Sequence, residues 1–211
     1  MSRIHVISFF NHLINCYLIE EMDGLTLIDT GYSFCYKKIL KCADMIGKPI
    51  KKVVITHLHS DHIGGLKKIY KFCPEIQIYV PAKDYELLKT RQNLLTYPVE
   101  IKLYGYLKQS DKIGSLTVID TPGHTQGSVS FYHPESKSLF CGDAFQTAGG
   151  FAIAGEMRLM FPFVALATWN RNIAKASAEK IVHENDIKQL LPGHGKKIFN
   201  MKENINRRMS K

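Results

Sequence analysis

A short apolar strand that empties into a cluster of imidazoles is the strongest constraint in this sequence. Val53-Val54-Ile55 runs directly into Thr56-His57-Leu58-His59-Ser60-Asp61-His62-Ile63-Gly64-Gly65. Three of the chain's 9 histidines and one aspartate thus crowd into a single loop, which chance spacing would rarely produce. On extended backbone, His57 and His59 at i and i+2 point the same way, and Asp61 continues that direction. If the chain then turns into a helix, His62 enters from a different angle. Imidazole and carboxylate donors gathered by one loop suit zinc, and also iron, manganese or cobalt. The glycine pair Gly64-Gly65 permits close backbone packing at the turn.

Three later segments repeat the design of a buried strand, a flexible turn and a metal-competent side chain. In "DTPGHTQGS", His124 sits in a Gly-flanked turn after the strand Leu116–Ile119. In "LFCGDAF", Asp143 ends an apolar strand, and in "LLPGHG", His194 stands between two glycines after another. Each is weak alone. Together, five histidines and two aspartates form the inventory of a two-metal site with one shared carboxylate. His5, His12, His133 and His183 stand apart and read as structural or surface residues, with His12 the best placed of these to face a pocket.

Strands are expected at 4–8, 14–20, 24–31, 51–56, 76–80 and 187–192, with three more between 111 and 145. Helices are expected at 34–46, 63–72, 82–95, 169–183 and 200–211, the first stopped by Gly47-Lys48-Pro49. Residues 96–112 give mixed signals and 146–168 are apolar but aperiodic. Neither a repeat nor a linker interrupts the chain. The expected architecture is one α/β domain over residues 1–211, two packed sheets with helices outside.

A chain that is 45% apolar and 22% charged is expected to fold rather than stay disordered. No apolar run approaches the roughly 20 residues of a membrane span, and the N-terminal residues lack a secretory h-region. A cytoplasmic protein with no membrane partner is the expectation. Five cysteines without C-x-x-C spacing fit reduced thiols. Cys141, two residues before Asp143, reads as a buried strand thiol. The net charge of +9 comes from dispersed lysine pairs, so a solvated surface is expected rather than a nucleic-acid groove. It would still attract anionic ligands.

The order H-x-H-x-D-H, T-P-G-H-T-x-G-S, G-D and G-H-G, with "NCYLIEEMDGLTLIDTG" before it, closely resembles the metallo-β-lactamase-fold superfamily over nearly the whole chain. The resemblance, to a small single-domain member, implies the four-layer αβ/βα sandwich. It implies that His57, His59 and His124 hold one metal, that Asp61, His62 and His194 hold a second, and that Asp143 bridges both. Asp29, in "LIDTG", matches an aspartate that orients a ligand from outside. The cofactors implied are two divalent ions, zinc first, with iron or manganese as alternatives.

The activity this implies is a dinuclear metal-dependent hydrolase. Hydroxide bridging the metals attacks an ester, lactone or thioester of a small molecule, with Asp61 or Asp143 as the catalytic proton acceptor. The resemblance also narrows the choice within the superfamily. Flavo-diiron members resemble H-x-E-x-D, whereas position 59 is His. Glyoxalase II members carry a C-terminal helical region, for which the stretch after His194 is expected to be too short. Familiar lactonases place Tyr three residues after the bridging Asp, where this chain has Gln146. A phosphodiesterase or nuclease, a mononuclear-iron sulfur dioxygenase and a non-catalytic metal-stabilised binding module stay open as alternatives.

The stretch 149–169 after Asp143 reads either as core beneath a loop or as an apolar pocket wall carrying Phe151, Met160, Phe161 and Phe163. The second reading favours a substrate with a hydrocarbon part. Residues 84–110, with Tyr85, Tyr97, Tyr104 and Tyr106, are the expected facing cap. The partner expected is a small molecule, anionic or partly apolar. A homodimer is compatible with the sequence.

Overall fold

A computed structural model of the chain describes residues 2–90, 101–199 and 201. It divides into two compact units, residues 1–108 and 109–211, each built on its own sheet and its own apolar cluster.

The first unit opens as a meander of β1 (Ile4–Phe9), β2 (Ile14–Glu20) and β3 (Leu25–Ile28), paired antiparallel. Helix α1 (Tyr36–Ile46) then carries the chain to β4 (Ile50–Val54), parallel to β3. Short helices α2 (Ser60–Ile63) and α3 (Leu66–Phe72) lead to β5 (Gln77–Pro81), and α4 (Ala82–Thr90) precedes β6 (Gly105–Leu107). The six strands lie in sequence order, β3 to β6 running parallel. β2 and β3 are buried almost throughout, which takes Asn15 and Thr26 inside together with their apolar neighbours. Helix α1 buries Ile39 and Ala43 and stops where Gly47 takes φ +75°, its N–H reaching Ala43 O and Asp44 O.

The second unit contains β7 (Lys112–Ile113), β8 (Leu116–Asp120), β9 (Val129–His133), β10 (Ser138–Gly142), β11 (Phe145–Gln146) and β12 (Ala152–Ile153). Helices α5 (Phe163–Leu166) and α6 (Arg171–Glu184) follow, then β13 (Gln189–Pro192) and β14 (Ile198–Phe199). Its six-stranded sheet has the order β14-β13-β10-β9-β8-β7. All its neighbours are antiparallel except β10 and β13. Helix α6 starts at Asn170, whose Oδ1 accepts from Asn172 N and Ile173 N, and it buries Ala174, Ala178, Ile181 and Val182.

Several elements differ from expectation. The helix predicted at 63–72 is broken into α2 and α3. A Cβ on Gly65 would stand 2.4 Å from Thr30 O, and one on Gly64 would stand 2.9 Å from Ser33 N, so this corner is pressed against the segment after β3. The three strands expected between 111 and 145 are four, β7 to β10, and β11 begins at Phe145. The aperiodic stretch 146–168 holds the rest of β11, then β12 and α5. The end of the predicted helix 82–95, Tyr97 of the expected cap and the tail helix 200–211, apart from Met201, lie outside the described residues. Among the described residues no helix is long and apolar enough to cross a membrane.

Candidate metal centre

In the first unit the loop after β4 gathers three imidazoles. Ligands of parallel α/β sheets collect at the carboxyl ends of the strands, and β4 ends at Val54, just before this loop. His59 has extended backbone (φ −78°, ψ 153°) and caps α2, which carries Asp61 and His62. His57 Nε2 lies 3.1 Å from His59 Nδ1. The His57 ring is 4.7 Å from the His59 ring and 4.0 Å from that of His62. His57 and His62 are buried, and His59 and Asp61 are half-buried.

Hydrogen bonds behind the rings decide which nitrogens face inward. Asp29 Oδ1 accepts from Thr56 N at 2.8 Å, and its Oδ2 accepts from Thr56 Oγ1 at 2.8 Å. His62 Nδ1 is 2.7 Å from the same Oδ2, so Nδ1 carries the proton and donates it. Thr56 Oγ1 also lies 3.1 Å from His57 Nδ1. Its single hydrogen is committed to Asp29, so it accepts from His57 Nδ1–H. Nε2 of His57 and Nε2 of His62 are thereby left as lone-pair donors. Burial, and then the negative charge of Asp61, raise the phenol pKa of Tyr32, which places Tyr32 near this loop.

In the second unit the parallel pair β10 and β13 sets two metal-competent side chains. Gly142 and Pro192 are register partners, and Gly193 N donates to Gly142 O at 2.9 Å. The next residues, Asp143 and His194, therefore leave the sheet side by side. His194 Nε2 and His124 Nε2 each lie 3.3 Å from Asp143 Oδ2. All three side chains are buried. His124 is held by α6 and its approach: Trp169 N donates to His124 O, Asn170 N to Gly123 O, and Ser177 Oγ to Pro122 O.

The other residues singled out from the sequence divide. Phe161 is buried with its ring 5.1 Å from that of His194, and Phe163 packs edge-on against Phe161 at 5.2 Å while staying 65% exposed. Met160 is 88% exposed. Phe151 stacks on Phe145 at 5.9 Å against the core. Gln146 is fully buried with Nε2 3.4 Å from Phe161 O, so it braces the apolar stretch. His12 is half-buried at φ +68°, its Nδ1 3.3 Å from Asn15 Oδ1. His5 bonds Glu20 and His133 bonds Ser136, as structural histidines do. Cys141 is a buried strand thiol. Sequence reasoning missed Thr56, Thr168 and Tyr32. Thr56 carried a readable signal, its place directly before His57, whereas nothing in "LATW" marks Thr168.

Comparison with known proteins agrees with this geometry. A family model described as the metallo-β-lactamase superfamily matches residues 11–194. The uncharacterised protein YobT of Bacillus subtilis (strain 168) is 35% identical, over 97% of this chain and 94% of its own. The hydroxyacylglutathione hydrolase of Legionella pneumophila (strain Corby) is 28% identical over 71% of this chain. The match spans only 54% of that enzyme's length. The crystal structure of the BLEG-1 B3 metallo-β-lactamase superposes with a TM-score of 0.73, at 20% identity and 97% coverage of both chains, which shows the fold.

Proposed function

This chain belongs to the metallo-β-lactamase superfamily, and from that premise we propose that it is a dinuclear metal-dependent hydrolase of a small-molecule ester, lactone or thioester. The observation that carries the reading is that each unit gathers buried donor atoms of its own. His124 and His194 converge on one oxygen of Asp143, and the Asp29–Thr56 bonds turn lone pairs of His57 and His62 away from their anchors.

The donor set fits divalent ions. Side-chain groups suited to holding one are His57, His59 and His124; His57, His62 and Asp143; and Asp61, His62 and His194. Histidine nitrogen and carboxylate oxygen favour zinc, with iron or manganese next. When bound, such ions lower the pKa of water toward neutrality and polarise the scissile carbonyl. The chain supplies the rest. Asp29 and Thr56 hold the imidazoles in register, Asp143 draws His124 and His194 onto one oxygen, and Asp61, half-buried at the loop edge, takes the proton. Phe161 and the exposed Phe163 and Met160 form an apolar wall, which favours an acyl part on the substrate. The relative named hydroxyacylglutathione hydrolase supports an acyl substrate. The lysine excess favours an anionic one.

Metal analysis of the purified protein, together with a panel of ester, lactone, thioester, β-lactam and phosphodiester substrates, tests this reading. Two divalent ions per chain and preferred turnover of a carboxylic ester or thioester are expected. His57→Ala and Asp143→Ala should each lose metal and activity together. Full metal content and turnover in both variants, or preference for the phosphodiester, overturns the proposal.

A further inference from the structure

We propose that Thr168 is a positioning residue that selects the tautomer of His124 and so aims His124 Nε2 at the metal; this rests on the dinuclear reading above. Thr168 lies just beyond α5 and is half-buried. Its Oγ1 is 2.7 Å from Val164 O and 3.1 Å from His124 Nδ1. A carbonyl oxygen only accepts, so the single hydroxyl hydrogen of Thr168 goes to Val164. What remains on Oγ1 is a lone pair, which accepts from the imidazole. His124 therefore carries a proton on Nδ1, and its Nε2 is turned toward Asp143 Oδ2 at 3.3 Å.

The first unit contains the same device. Thr56 gives its hydrogen to Asp29 and accepts from His57 Nδ1. His62, by contrast, donates to the carboxylate of Asp29 directly. A threonine hydroxyl thus stands behind both His57 and His124, which the family resemblance assigns to one metal, and a carboxylate stands behind His62, assigned to the other. The hydroxyl sets orientation without adding a charge. The outer partner of a ligating histidine generally fixes its ring and contributes to metal affinity.

The test uses Thr168→Val, which keeps the shape and removes the acceptor, and Thr168→Ser, which restores it. Nitrogen-15 NMR of the metal-stripped chain should show Nδ1 of His124 protonated in the parent and in Thr168→Ser. Thr168→Val should shift it toward Nε2–H or a mixture. Chelator competition should show the weaker-held metal of Thr168→Val bound about 10-fold less tightly, with Thr168→Ser near the parent. An unchanged tautomer in Thr168→Val overturns the inference, as does equal metal loss in both variants. Because the tautomer is read without metal, a parent that binds no metal defeats the hydrolase reading while this inference is still judged by the spectrum.

Discussion

Asp29 Oδ2 lies 2.7 Å from His62 Nδ1, and the same carboxylate takes both the N–H and the hydroxyl of Thr56. One buried side chain thus orients two imidazoles, His62 directly and His57 through Thr56. It does so from left-handed backbone, φ +56°, a conformation that Asp and Asn accept more readily than other non-glycine residues.

Asp29→Asn therefore keeps the backbone and breaks the bonding. A carboxamide has one oxygen, whereas Thr56 N–H, Thr56 Oγ1–H and His62 Nδ1–H all need acceptors. Leaving at least one buried donor unmet costs about 1–3 kcal/mol. Loss of the orienting partner should weaken metal binding about 10- to 100-fold. Denaturant titration and chelator competition read the two effects. A variant as stable and as metal-retentive as the parent would show that the carboxylate does not set the ligands.

Gly123, in the turn that presents His124, should tolerate no side chain. Its φ is +134°, and a Cβ there would stand 2.3 Å from both N and Cα of Ala174 in α6. Backbone cannot rotate out of the way as a flexible side chain does. Gly123→Ala should lose on the order of 3 kcal/mol and displace His124. Gly47→Ala is the control. Its φ is +75° with nothing within 4 Å of the added carbon, so it should lose only about 1–2 kcal/mol of left-handed strain. Equal losses in the two variants would remove the packing argument.

These two positions also show what the sequence could and could not reveal. The glycine pair after His62 was readable as a close approach and the glycine before His124 only as a turn, and the neighbours they approach, Thr30 and Ala174, are long-range facts that no local pattern carries. The loops that carry these histidines and Asp143 were legible because each follows a β-branched or apolar run whose period is plain. The short strands β11 and β12 were not, since two residues give no period. The break between α2 and α3 was hidden because apolar spacing continues across Gly64-Gly65. Thr168 was invisible for a different reason. Its role depends on Val164 O taking the hydroxyl hydrogen, which only the turn after α5 arranges.

The thiols should separate by burial. Burial pushes the Cys35 thiol up to about 11 and the Cys16 thiol well above its usual range, the latter raised further by the charge of Asp29. Cys16, Cys35 and Cys141 are buried, whereas Cys42 and Cys73 are half-buried. Iodoacetamide at pH 8 should label only Cys42 and Cys73 until the chain is unfolded. The raised folded-state pKa means that the stability held by neutral Cys35 is complete below the unfolded value of about 8.5. It is lost as pH climbs from there through about 11. Melting temperature should fall across that window, and less steeply in Cys35→Ala. Rapid labelling of Cys35 in the native chain would contradict the packing around Gly31, where a Cβ would meet its Sγ at 2.7 Å.

Phe163 separates substrate binding from stability. It is 65% exposed, yet it packs edge-on against Phe161, whose other neighbour is the His194 ring. Substitution of so exposed a residue changes folding stability little, within about 0.5 kcal/mol. If the segment lines the acyl side of the pocket, Phe163→Ser removes roughly 1–2 kcal/mol of apolar contact with a medium-chain ester. That corresponds to a rise of about 5- to 30-fold in KM for such a substrate, with the acetyl ester nearly unchanged and metal content intact. The ratio of the two esters, measured alongside the melting temperature, isolates the contact. A uniform loss on both esters would mean that the mutation disturbs His194 through Phe161, and the acyl wall would have to be sought elsewhere.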